Sequence, residues 1–249
     1  MFVHGMTFGV GLFAASVVPG FLARAPRIAA PSSIPSSIQV NEAEAIRMLR
    51  QIAAAERTFR DALDIDTNCD REGEFGYFAE LAGGQPMRVS VGCQPAAGSA
   101  GDVLVPPLLP SSFAHLSGPP DWHGFVVPYK GYEFQMWLAG PTVAHRVTAV
   151  REDATGGKAA PPFPDSVNGA YYWICYAWPI DYGNSGVRAF CINQRGFVLA
   201  CDNTGGSVFD GLLGVPWYDE ALSRVGDLRS PLRIGVPGGA LSTLWDLVP

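Results

Sequence analysis

Residues 41–62 read NEAEAIRMLRQIAAAERTFRDA, and their spacing decides the fold class. Ile46, Leu49, Ile52, Phe59 and Leu63 recur at helical intervals, with Ala53 and Ala55 as small fillers between them. Arg47, Arg50, Glu56, Arg57 and Arg60 take the remaining positions. The stretch therefore reads as one amphipathic helix with an apolar stripe that must lie on another layer. Asn41 as N-cap, with Glu44 three residues on, supplies the capping-box pattern that would start it.

Beyond the helix the signals change to short apolar runs broken by glycine and proline, which number 29 and 21 in the chain. Residues 88–93 alternate as a strand does. In residues 131–138, Tyr132, Phe134, Met136 and Leu138 share one face. Residues 171–178, YYWICYAW, are apolar on both faces and belong in a covered, central strand. Residues 187–194 and 197–201 form a hairpin about Arg195-Gly196. Residues 98–120 and 151–166 are loops, and the tail from 212 is irregular with a short helical stretch near 217–225. The expected fold is α+β, one long amphipathic helix packed on an antiparallel β-sheet.

In the other direction the chain becomes apolar. Residues 25–38, APRIAAPSSIPSSI, hold three prolines and four serines and read as an extended linker. Before them lies an 18-residue uncharged run, residues 6–23, near the short end of what spans a bilayer, with Arg24 and Arg27 directly behind it. No basic residue precedes Arg24, so a membrane anchor fits better than a secretory signal. The expected organisation is an anchor at 1–24, a linker at 25–40 and a domain at 41–249.

Charge restricts the partners. With 17 basic and 23 acidic residues the net charge is −6, which disfavours nucleic acid. All basic residues except Lys130 and Lys158 are arginine, the cation suited to protein interfaces.

Between helix and strands stands Asp64-Ile-Asp66-Thr-Asn68-Cys-Asp70. Alternating oxygen side chains are what calcium takes, so Asp64, Asp66, Asn68 and Asp70 are the candidate metal ligands. Cys69 replaces the turn glycine of an EF-hand and Phe75 its closing glutamate, so a plain solvated turn stands beside the calcium reading. Cys69 and Cys93 bracket this loop and form the more attractive disulfide pair among five cysteines. A hairpin centred on Gly183 would set Cys175 opposite Cys191. No C-x-x-C, G-x-S-x-G, H-E-x-x-H or Walker pattern is present, and no cofactor beyond calcium is expected.

Residues 41–59, the acidic stretch and Glu74-Phe-Gly-Tyr-Phe-Ala-Glu-Leu81 together resemble bacterial type IV pilin-like and pseudopilin-like proteins. Residues 176–190 and 193–198 are similar to the strand, loop and hairpin of such extracytoplasmic proteins, and Gly5-Met6-Thr7-Phe8 sits where that family has its processing glycine. The family's glutamate, fifth in the mature chain, falls at Val10, and the Pro/Ser linker interrupts its spine helix. The resemblance implies a non-enzymatic structural subunit at the inner membrane with its main domain in the periplasm. Such a subunit docks on a larger membrane protein complex: a pilus, a secretion machine, or a photosynthetic or respiratory assembly. Two alternatives remain, a true minor pilin or pseudopilin, and a ligand-binding protein or enzyme with His123 or His145 beside a carboxylate in a pocket between helix and sheet.

Overall fold

The computed structural model describes residues 36–118, 125–204, 208–238 and 243–249. The long helix, α1, spans Ser37–Asp61. It starts earlier than its apolar period suggested. Ser36 is the N-cap: its hydroxyl accepts from the Gln39 N–H at 3.2 Å, and the Gln39 side chain accepts from the Ser36 N–H at 3.0 Å. The pattern S-x-x-Q directly after Pro35 is itself a capping box, so the linker ends before residue 37 rather than at 40. Asn41 lies inside the helix, where its amide donates to the Ser185 carbonyl at 2.9 Å. The far end is corrected too. Ala62 caps the helix and Leu63 takes a left-handed φ of 60°, which turns it off the apolar stripe and leaves it 48% exposed.

Two short segments follow, α2 at Phe78–Leu81 and a small ribbon of β1 (Val89–Ser90) with β2 (Pro95–Ala96). The latter is all that residues 88–93 contribute as strand. The main sheet is antiparallel: β3 (Val127–Tyr129), β4 (Tyr132–Val143), β5 (Arg146–Arg151), β6 (Trp173–Pro179), β7 (Ala189–Asn193), β8 (Leu199–Cys201) and β9 (Asp246–Leu247). Its order is β3-β4-β6-β7-β8-β9, with β5 also paired to β4. The described residues thus form an α+β body of one main helix and an antiparallel sheet.

Side-chain alternation sorts the sheet into two cores. Tyr132, Phe134, Met136 and Leu138 point to the helix side, where Ala45, Met48, Leu49, Ile52 and Phe59 of α1 meet them. Each large apolar side chain buried there stabilises the fold by about 1.5–3 kcal/mol. Trp137, Ala139, Ile174, Tyr176 and Trp178 point the other way, against Phe209, Leu222, Leu228 and Trp245 of the tail. β6 is buried at every position because both faces are covered, as its composition requires.

Two finer expectations fail. Residues 217–225 form turns, not a helix: Arg233 draws the Glu220 and Leu222 carbonyls to its guanidinium, and Asp219 accepts from the Gly226 N–H. Cys175 is not opposite Cys191. The register pairs Tyr176 with Cys191 and Cys175 with Ile192, so the two thiols lie on opposite faces of the sheet.

No helix among the described residues is long and apolar enough to cross a membrane. The expected anchor, residues 1–24, and the linker up to residue 35 lie outside the described residues.

Candidate functional site

The acidic loop turns its oxygens inward on its own backbone. The Asp66 carboxylate accepts the N–H groups of Asp70 and Arg71 at 3.1 and 3.0 Å. Asp70 accepts the Glu72 N–H at 2.8 Å and the Asn68 amide at 2.7 Å. Cys69 and Arg71 adopt left-handed φ angles of 60° and 69°, and Cys69 stands at disulfide distance from Cys93, with Cα atoms 5.3 Å apart. Asp64 is exposed beside this network, its carboxyl raised by partial desolvation. Among the described residues no group of three or more His, Cys, Asp or Glu is placed to hold a metal ion. By these bonds Asp66, Asn68 and Asp70 build a stapled Asx-type turn, with Asp64 outside it.

The staple leads into a buried charge cluster that residue patterns did not reveal. Arg88, almost fully buried, reaches Glu80 at 3.1 Å and Glu74 at 3.3 Å and also donates to the Phe75 carbonyl. Glu80 accepts the N–H groups of Tyr77 and Arg88, and Glu74 accepts from the backbone and hydroxyl of Thr67. Burial works against the Arg88 charge, but Glu80 and Glu74 overcome it and hold the guanidinium protonated. Glu56 of α1 is fully buried beside this group. One of its oxygens accepts the Gly76 N–H at 3.0 Å and the other has no partner. Burial pushes the Glu56 carboxyl well up, and Glu74 up as well. Glu56 was detectable: positions 52, 56 and 59 share one helical face, so its place in the period predicts burial even though its charge does not. The cluster ties α1, the stapled loop and α2 into one unit.

A cavity opens where the outer edge of β4 changes partner. The ladder with β3 ends at Phe134, and the ladder with β5 begins at Trp137. A space of about 580 Å³ lies at this break, lined by Phe125, Trp137, Trp217 and Pro162 and rimmed by Arg151, Glu152, Asp153 and Lys158. Trp137 is buried and its Nε1 has no hydrogen-bond partner. Trp217 meets it edge-on, ring centroids 5.1 Å apart, and is itself 41% exposed. Glu152 accepts the N–H groups of Ala79 and Gly157 at 2.8 Å through one oxygen, while the other is unpartnered. Desolvation raises its carboxyl to about 8. Lys158 is paired with Asp153.

Compared with family models, with curated proteins and with solved structures, the chain matches none. Its own geometry carries the functional reading.

The expected pocket between helix and sheet is filled by Met48, Leu49, Ile52, Phe134 and Phe190. His145 sits exposed in the β4–β5 turn, and His123 lies outside the described residues. The outward side of α1 is different in character. Ala43, Arg47, Arg50, Ala54 and Arg57 are exposed in a line along the helix, at alternating spacings of four and three.

Proposed function

We propose that this chain is a non-enzymatic, pilin-like assembly subunit, held at the inner membrane by residues 1–24 with its domain outside the cytoplasm. In this reading it docks on a larger membrane protein complex through the outward face of α1. The observation that carries the reading is the Ala/Arg line on that face. The inner face of the helix is taken up by the sheet, while Arg47, Arg50 and Arg57, interleaved with Ala43 and Ala54, lie exposed on the outer one, with Arg47 held by Glu44 at 3.0 Å. Small residues allow close approach of another backbone, and guanidinium groups form bidentate pairs with carboxylates. The complementary partner surface is therefore acidic.

The resemblance of residues 41–81 to the pilin-like class supports the same reading. So does the stapled loop with its buried cluster, which stiffens the end of the helix. The test is gentle extraction of the native protein from membranes, followed by size analysis of wild type and of an Arg50→Glu, Arg57→Glu double variant. The expected result is a species well above the 26.5 kDa chain that the double variant loses without a change in melting temperature. A lone wild-type monomer with nothing co-purifying overturns the proposal.

A further inference from the structure

The Cys69–Cys93 bridge is separate from the α1 strip, and it differs from the other three cysteines in where it lies. Cys69 and Cys93 are both exposed, whereas Cys175, Cys191 and Cys201 are buried. The bridge joins the acidic loop to the β1–β2 ribbon, and that ribbon has little else to hold it. It contains two residue pairs, Val89 with Ala96 and Ser90 with Pro95, and a ribbon of this size is marginal by itself. None of residues 89–97 is buried, so the ribbon adds nothing to the core. At its tip Gly92 and Cys93 take left-handed φ angles of 61° and 58°, closed by the paired bonds between Val91 and Gln94 at 2.9 and 3.2 Å. A Cβ placed on Gly92 would meet nothing within 4 Å, so the tip projects into solvent. Besides the bridge, the Ser90 hydroxyl ties the ribbon to the loop, donating to the Thr67 carbonyl at 3.0 Å and standing 3.3 Å from the Cys69 sulfur.

The body beneath is held by other bonds. Thr67 is anchored on Glu74, Glu74 and Glu80 on Arg88, and the Met87 N–H at the base of the ribbon donates to the Asp102 carbonyl at 3.0 Å. None of these passes through sulfur. Each half of the bridge also keeps its own turn: Asp66 and Asp70 close the one around Cys69, and the Val91–Gln94 bonds close the one around Cys93. Opening the bridge therefore frees the ribbon, leaves the core in place and keeps the two thiols near each other for closure. Exposed disulfides are the ones that exchange with external thiols. A thiolate of a dithiol attacks one sulfur, forming a mixed disulfide and expelling the other sulfur as a thiolate that takes up a proton. The dithiol's second thiol then displaces the mixed disulfide, so the reagent leaves as its own disulfide and the two cysteines as thiols, two electrons having passed. Burial raises the thiols of Cys175, Cys191 and Cys201, which keeps them out of this exchange. We infer that Cys69–Cys93 is a reversible redox latch, opened by an external dithiol to release the 89–97 ribbon from the acidic loop while the body stays folded.

The experiment uses the full chain in detergent, without denaturant, exposed to reduced and then to oxidised dithiothreitol. Free thiols are alkylated and mapped by mass spectrometry, and amide hydrogen exchange is followed in parallel. In the reduced sample Cys69 and Cys93 should be labelled, with Cys175, Cys191 and Cys201 protected. Exchange in residues 89–97 should quicken by about tenfold or more, while α1 and β6 keep their protection. Oxidised dithiothreitol should restore both the bridge and the slow exchange. A Cys69→Ser, Cys93→Ser double variant should show the fast ribbon and the protected body without any reductant. Four results overturn the inference: a bridge that resists dithiothreitol until the protein unfolds, reduction that leaves ribbon exchange unchanged, reduction that strips protection from α1 and β6 as well, or a reduced pair that oxidised dithiothreitol does not close.

Discussion

Glu152 shows how one buried side chain couples this protein to pH. Its carboxyl accepts two backbone N–H bonds, but burial outweighs them and lifts it from about 4.5 to about 8. As pH rises between those values the unfolded chain releases this proton and the folded chain keeps it. Stability therefore falls across that window, by up to about 1.4 kcal/mol for each unit of pH, and levels off above about 8. Glu152→Gln retains an acceptor for the Ala79 and Gly157 N–H groups but has no proton to lose. Its melting temperature relative to wild type should rise steadily from acid to mildly alkaline pH; a constant offset over that range would contradict the account. Breaking the cluster is a different matter. Arg88→Met leaves Glu74 and Glu80 buried without their cation and is expected to destabilise by about 3–5 kcal/mol, measured by denaturant unfolding. None of these carboxylates was legible as a site, because sequence patterning treats every glutamate as solvated. The sequence reading set Glu56 with the arginines outside the apolar stripe, and burial corrects it: only its place four residues after Ile52 could have marked it as internal.

At the scale of elements, apolar alternation was readable wherever one face was purely apolar. Tyr132, Phe134, Met136 and Leu138 all lie in the helix-side core, and the double-sided reading of residues 171–178 placed β6 in mid-sheet. What was not readable was β5. The β4–β5 hairpin turns through Ala144 and His145, both with left-handed φ angles of 48° and 61°, joining the paired residues Val143 and Arg146. Such a two-residue turn asks for Asn-Gly, and Ala-His carries no such signal. The same fact makes a prediction. An L-residue in this region costs about 1–2 kcal/mol, and Asn and Gly tolerate it best. Ala144→Asn with His145→Gly should therefore raise stability by about 1 kcal/mol or more, seen as a higher midpoint in denaturant at unchanged slope. The one-residue register offset between β6 and β7 also has a chemical consequence. Mild oxidation followed by peptide mapping should recover Cys69 linked to Cys93 and never Cys175 linked to Cys191, which project from opposite faces.

Across the whole described body, the sheet separates two unlike layers, and only one of them could be read in advance. The helix side has a period. The other side is an irregular tail whose Trp245 and Leu228 fill the second core, and whose place is set by single polar contacts that no pattern announces. Asp227 is the chief of these: it accepts the Val147 N–H of β5 at 3.0 Å, and the Leu228 N–H returns a bond to the Val147 carbonyl at 2.8 Å. Burial would raise the Asp227 carboxyl, but the bonds from Val147 and Arg229 outweigh it and hold it below its ordinary value. Both signs of pH dependence are therefore built into the body. Stability from Asp227 is complete above its unfolded value of about 3.8 and is lost as pH falls through the lower folded one. Glu56, Glu74, Glu133 and Glu152, raised on folding, weaken the protein as pH climbs from about 4.5 upward. Together they place the stability maximum between the two, at about pH 4 to 5, below the neutral range where folded proteins usually have it. A series of thermal melts from strongly acid to mildly alkaline buffer should show that maximum. Asp227→Asn should flatten its acid limb and Glu152→Gln its alkaline limb. A wild-type maximum at neutral pH or above would mean that the buried carboxylates are satisfied in some other way than their geometry indicates.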